Sequence, residues 1–99
     1  MAAIAVRCQA DPSAGWACLV AVRENGVDVS THRVRVRADQ LERLAPGVTD
    51  PAPLVEESFR FLLERESART ILRSFDLLDI ARYFPEYETE IRRRMGEPG

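Results

Sequence analysis

The chain contains no lysine: all fourteen of its basic residues are arginine. It has a single histidine, His32, and a single asparagine, Asn25, and aromatic residues make up only 7%. A GC-rich coding bias accounts for the arginine excess without invoking a ligand. Arginine nonetheless suits bidentate contacts to anions, so its placement matters more than its number. The five glycines are scattered at turns and at the C-terminal end, so there is no Gly-rich phosphate loop. The two cysteines, Cys8 and Cys18, lack the tight C-x-x-C spacing of structural zinc sites. With His32 they supply three donors and no fourth. One histidine beside two strand-embedded cysteines is also a poor basis for thiol catalysis, which needs a base within hydrogen-bond reach. The expectation is therefore no metal, no cofactor and no enzyme.

Long apolar runs are missing too. No segment approaches the ~20 apolar residues of a membrane-spanning helix. The N-terminal stretch Met1 to Val6 is too short for a signal peptide and is interrupted by Arg7. These features predict a cytoplasmic protein with Cys8 and Cys18 as reduced thiols. What remains is ordinary for a folded globule: 99 residues, 45% hydrophobic and 30% charged. That length fits one domain, residues 1–99, able to bury roughly 65% of its unfolded surface. A net charge of −2 gives no global attraction to nucleic acid or to an anionic membrane. Binding of either kind would need a local basic patch.

The fold class predicted is α+β: a three-stranded antiparallel β-meander over 3–37, in the order 1-2-3, followed by a helical half over 39–96. Strand one spans Ile4 to Cys8, and Asp11-Pro12-Ser13-Ala14-Gly15 reads as a turn-rich loop. Strand two, Trp16 to Val22, is apolar at every position. Asn25-Gly26 then signals a type I′ hairpin, because both residues tolerate positive φ. Strand three, Val27 to Arg37, ends in alternation of His32, Val34 and Val36 with Arg33, Arg35 and Arg37. A two-residue turn pairs Glu24 with Val27, hence Leu19 with His32 and Trp16 with Arg35. Helices would then cover Ala17, Leu19, His32, Val34 and Val36. The opposite face would present Trp16, Cys18, Val20, Val22 and Val29 beside Thr31, Arg33 and Arg35. A bulge near Val29 or Ser30 would exchange the two faces, since a slip of one residue does so.

Three to five helices are expected on one sheet face. Asp39 and Glu42 have capping-box spacing before Leu41–Leu44, which stops at Pro46-Gly47. Asp50-Pro51 is an N-cap and N1 pair for the best helix, extending to about Glu66. Its stripe is Leu54, Val55, Ser58, Phe59, Leu62 and Leu63, and Phe61 lies off it, implying a second buried surface. Ser67 and Asp76 can cap short helices, and Pro85 can open a last one over Glu86 to Met95. Thr70 to Phe84 also fits a helix-turn-helix with its turn at Ser74-Phe75-Asp76, although Asp76 and Asp79 would repel phosphates.

The segment from Ser74 to Glu88, with Phe75-Asp76-Leu77, Ile80, and Arg82-Tyr83-Phe84-Pro85-Glu86-Tyr87, resembles the ending of a group of small uncharacterised bacterial proteins. Thr31-His32-Arg33-Val34 and the stretch from Phe59 to Glu66 are similar to that group as well. The resemblance implies a bacterial, cytosolic, standalone domain and carries no activity.

Two features point to binding. Strand two has more apolar surface than one packed face requires, which makes Trp16, Val20, Val22 and Val29 candidates for a partner or homodimer face. Arg33, Arg35 and Arg37 recur every second residue on one side of strand three and could hold an acidic partner or a phosphate backbone. Tyr83, Phe84 and Tyr87 form a secondary candidate, because aromatic anchors dominate binding hot spots. The function expected is a non-enzymatic protein-interaction or regulatory module, with a homodimer through the sheet as one form. The alternative is a small nucleic-acid-binding regulator of repressor or antitoxin type, using the strand-three arginines or Arg82.

Overall fold

A computed structural model describes residues 2–12 and 15–96, so Ser13 and Ala14 of the first expected loop lie outside the described residues. Three long strands lead the chain: β1 (Ala2–Asp11), β2 (Gly15–Glu24) and β3 (Val27–Arg37). Helices α1 (Ala38–Leu44) and α2 (Ala52–Leu63) follow, then a short strand β4 (Ser74–Asp76), and helices α3 (Ile80–Tyr83) and α4 (Tyr87–Gly96). One-turn 3₁₀ helices, Ala68–Thr70 and Leu77–Asp79, flank β4. The fold is α+β, with a four-stranded mixed sheet in the order β1-β2-β3-β4. The expected meander is present as β1 to β3. The fourth strand is an addition: Ser74-Phe75-Asp76, expected as a turn between helices, pairs parallel with Arg33–Arg35. A strand stands where the helix-turn-helix turn would be, which removes that reading.

Asn25 and Gly26 both take positive φ, 54° and 79°, as a type I′ turn requires. The turn pairs Glu24 with Val27 and Arg23 with Asp28, but the next pair is Val22 with Ser30. Val29 is the extra residue of a bulge. From there Val20 faces His32, Cys18 faces Val34 and Trp16 faces Val36. The faces expected for strand two are therefore exchanged, whereas His32, Val34 and Val36 of strand three keep the packed side expected of them. Cys18, Val20 and Val22 join Val34 and Val36 against the helices, and Leu19 turns outward. The physical reason is burial. Each fully buried Val contributes about 1.5–3 kcal/mol, more than one disturbed ladder position costs.

β1 pairs with β2 without interruption, placing Ile4, Val6 and Cys8 on the same packed face. Cys8 lies directly opposite Cys18, with Cα atoms 4.0 Å apart, and the two form a disulfide. This corrects the expectation of two reduced thiols: register, not motif spacing, brings them together. Gly15 passes so close to β3 that an added Cβ would sit 2.3 Å from the Val36 carbonyl oxygen. Any side chain there would push the two strands apart.

The helices close the core over this face. Asp50 Oδ1 accepts from the Ala52 N–H at 3.0 Å, so the expected cap holds, and α2 ends at Leu63, before the expected Glu66. At α1 it is Gln40 rather than Glu42 that reaches back, its Oε1 accepting from the Arg37 N–H at 3.0 Å. Leu54, Val55, Phe59 and Leu62 fill the space above the sheet. Phe61 is buried on the other side of α2, edge-on to Phe84 and Tyr87, with the Arg65 guanidinium 3.6 Å above its ring. The second buried surface expected for Phe61 is therefore real. Ser58 donates to the Leu54 carbonyl at 2.7 Å, which leaves its oxygen to accept from the Tyr87 hydroxyl at 2.7 Å. Burial pushes the Tyr87 hydroxyl far above its ordinary pKa, so it remains a neutral donor.

Candidate binding surface

Of the residues proposed as an apolar partner face, Val20 and Val22 are buried at 1% and 0% exposure and Trp16 is half-buried against the core. Val29, the bulge residue, is also partly buried against the core. None of the four forms a free apolar surface. Among the aromatic candidates, Tyr87 is buried, Phe84 is half-buried and packs on Phe61, and only Tyr83 is exposed. A single exposed ring does not make an anchor cluster. The weighed donor trio does not assemble either. The cysteines bond to each other, and the His32 nitrogens are both engaged: Nδ1 donates to the Leu72 carbonyl and Nε2 accepts from the Ser30 hydroxyl, each at 2.8 Å. A carbonyl can only accept, which sets this tautomer. Among the described residues no group of His, Cys, Asp or Glu could hold a metal ion.

The face left open is the odd-numbered one. Across its centre runs the row Arg7–Leu19–Arg33, set by direct pairing across three strands, and β4 continues it with Ser74. The adjacent row is Ala5–Ala21–Thr31. Small side chains flanked by long ones leave a depression of about 730 Å³ with Leu19, Ala5, Ala21 and Thr31 on its floor. Leu19 is 55% exposed, although it sits mid-strand in the centre of the sheet. Arg7 and Arg33 stand beside it. Arg73 joins them from the segment entering β4, where the Arg33 N–H donates to the Arg73 carbonyl at 2.7 Å.

These three arginines differ from most others in the chain. Arg35 lies 3.7 Å from Asp76, Arg37 lies 3.4 Å from Asp39, and Arg82 lies 3.8 Å from Asp79. On the helical side Arg94 contacts Glu57, Glu64 and Glu90 together, and Arg65 contacts Glu64 and Glu86. Hydrogen bonds from Arg93 and Arg94 hold the Glu90 carboxyl down to about pH 2. Among the described residues, Arg7, Arg33 and Arg73 have no carboxylate within ion-pair distance. No protein-family model, curated protein or solved structure matches this chain. The reading of the surface therefore rests on its own chemistry.

That chemistry is fixed positive charge around an exposed apolar centre. Guanidinium groups stay protonated throughout the working pH range and cannot act as general bases. His32, the one imidazole, is turned to the packed face and is 3% exposed. The positive patch is bounded on one side. Asp11, Asp76 and Asp79 line the adjoining depression at one end, whereas at the other Asp28, paired with Arg23, shares a depression with Arg69 and Arg73. Of the strand-three arginines singled out in the sequence, only Arg33 belongs to the unpaired set. Arg7 and Arg73 complete it. Arg73 carried no sequence signal, because nothing local predicts that the segment before β4 returns to the sheet.

Proposed function

We propose that this protein is a non-enzymatic interaction module whose open sheet face holds a short acidic segment of a partner protein. The observation that carries the reading is the trio Arg7, Arg33 and Arg73, unpaired around the exposed Leu19 in a chain whose other sheet arginines mostly have carboxylates. Leu19 supplies apolar contact at the centre and the arginines supply bidentate contacts at the rim. The carboxylates at one end favour a compact acidic ligand. An extended phosphate backbone crossing the face would run onto Asp76 and Asp79 there. The face also lacks an aromatic platform for stacking bases, Trp16 being on the packed side. A homodimer packed face to face through this surface is disfavoured, because the row is Arg–Leu–Arg. A two-fold axis along or across that row brings arginine against arginine.

The nucleic-acid reading keeps one observation in its favour, the same three free guanidinium groups. One experiment separates the two. Fluorescence anisotropy with a labelled glutamate-rich peptide and a labelled single-stranded oligonucleotide, each at ~50 and ~150 mM salt, reads both ligand classes and the salt slope. The peptide should bind, and the variant with Arg7, Arg33 and Arg73 all changed to alanine should lose that binding while folding normally. Oligonucleotide binding lost in the same variant would replace the acidic partner by nucleic acid. Binding of neither probe, or of both unaffected by the substitutions, would remove the surface from consideration. The proposal includes the bacterial, cytoplasmic setting expected from the sequence. The disulfide between Cys8 and Cys18 weighs against that setting, and alkylation trapping in the host decides it: a dithiol there agrees with a cytoplasmic protein, a persistent disulfide with an oxidising compartment.

A further inference from the structure

The sheet has two edges, and only one of them is guarded. β4 is three residues long, contains Asp76 and runs directly into a 3₁₀ turn. β1 is ten residues long, Ala-Ala-Ile-Ala-Val-Arg-Cys-Gln-Ala-Asp, with no proline, no bulge against β2 and Arg7 as its only charge before Asp11. Among the described residues no element pairs with its outer side. Proteins ordinarily protect long edges with charge, proline, bulges or a covering segment, because the free N–H and C=O groups template another strand. Among the described residues, Ala2–Val6 has no proline, bulge or charged side chain, and α2 is the element packed beside the strand.

We propose that β1 pairs antiparallel with β1 of a second copy about a two-fold axis, joining two sheets into one of eight strands. The occupant follows from closure and charge. An antiparallel strand is complementary to itself, so a two-fold pair uses up both β1 edges and closes, leaving as outer borders β3, with its bulge and Asp28, and the three-residue β4 beside it. The alternation selects the register. Packed-face residues must meet packed-face residues, so a residue pairs with its own copy at the axis. An axis at Arg7 sets arginine against arginine. An axis at Val6 avoids this and uses the strand from Ala2 to Ala10, with Ile4 opposite Cys8 of the second copy and Ala5 opposite its Arg7. Both helical layers then lie on one side. The two sets of Arg7, Arg33 and Arg73 lie together on the other, which doubles the surface available to an acidic ligand.

Sedimentation velocity over a concentration series tests the pairing, with Ala5→Lys and Ala5→Glu as variants. Ala5 is exposed on the open face, so neither change enters the core. The wild type should sediment as a dimer of the 11.2 kDa chain. Lysine opposite the second copy's Arg7 should raise the dissociation constant about fivefold, and glutamate should lower it by a similar factor, each contact occurring twice per dimer. Circular dichroism melts confirm that both variants fold. A strict monomer, or a dimer that ignores the sign of the charge at position 5, overturns the proposal. Because Ala5 lies on the floor of the depression, the peptide-binding reading is tested separately by the anisotropy experiment on the wild type and the arginine variant, not on these two.

Discussion

Val20 and Leu19 are neighbours on the central strand, yet Val20 is 1% exposed and Leu19 is 55% exposed. The same contrast runs through the sheet. On the packed face, β-branched residues, the disulfide and His32 meet the phenylalanines and leucines of the helices. On the open face, alanines and a threonine lie between arginines. One face excludes water and the other presents positive charge around an exposed apolar centre. The arginines make the same distinction: those on the helical side sit in carboxylate networks, and those around Leu19 do not. Among the described residues most other arginines have a carboxylate partner, Arg69 and Arg92 excepted, and three without one gather on one concave surface.

This contrast can be broken most severely at Val20. Val20→Asp puts an unpaired carboxylate on the packed face, where the wild-type side chain is 1% exposed. Urea denaturation of that variant should show no cooperative transition at the wild-type midpoint. Next in size is a paired truncation. Phe59→Ala, in the core against His32 and Phe75, should cost about 3–5 kcal/mol, a large share of the stability of a domain this size. Leu19→Ala should change stability by no more than about 0.5 kcal/mol and weaken acidic-peptide binding instead. Equal stability losses in the two variants would erase the distinction between the faces.

Reduction of Cys8–Cys18 should lower the unfolding free energy by about 2–3 kcal/mol, because the bridge closes a short loop within a hairpin. Denaturation with and without dithiothreitol measures it, and a null result would mean that the pair adds nothing to the packed face beyond its bulk. The smallest effect expected is on the helical surface. Arg93 and Arg94 hold Glu90 at a pKa of about 2, below the ordinary 4.5. A depressed carboxylate pKa contributes stability above the unfolded value that is lost as pH falls through the folded one. The urea midpoint should therefore drop modestly between about pH 4.5 and 2, and less so in Arg94→Gln. Arg7, Arg33 and Arg73 have no such carboxylate to lose, so their substitution should leave the acid profile unchanged.

Much of this architecture is legible in local chemistry. Asn25-Gly26 determines the hairpin because only residues tolerating positive φ close a two-residue turn. Asp50-Pro51 and the stripe from Leu54 to Leu62 determine α2, and the alternation after Ser30 determines that strand three has one wet side. The candidate site is only partly legible. Arg33 is visible as part of an arginine stripe, but the stripe does not tell that Arg35 and Arg37 find carboxylates while Arg33 does not. That depends on where Asp76 and Asp39 come to rest. β4 escapes notice because three residues are too few for a period, and its parallel pairing is settled by how the chain returns after α2. The pairing of Cys8 with Cys18 depends on register, which no spacing motif encodes. Which sheet face is covered is likewise a tertiary decision. A strand apolar at every position permits either, and a single bulge residue at Val29 chooses the one that buries the larger side chains.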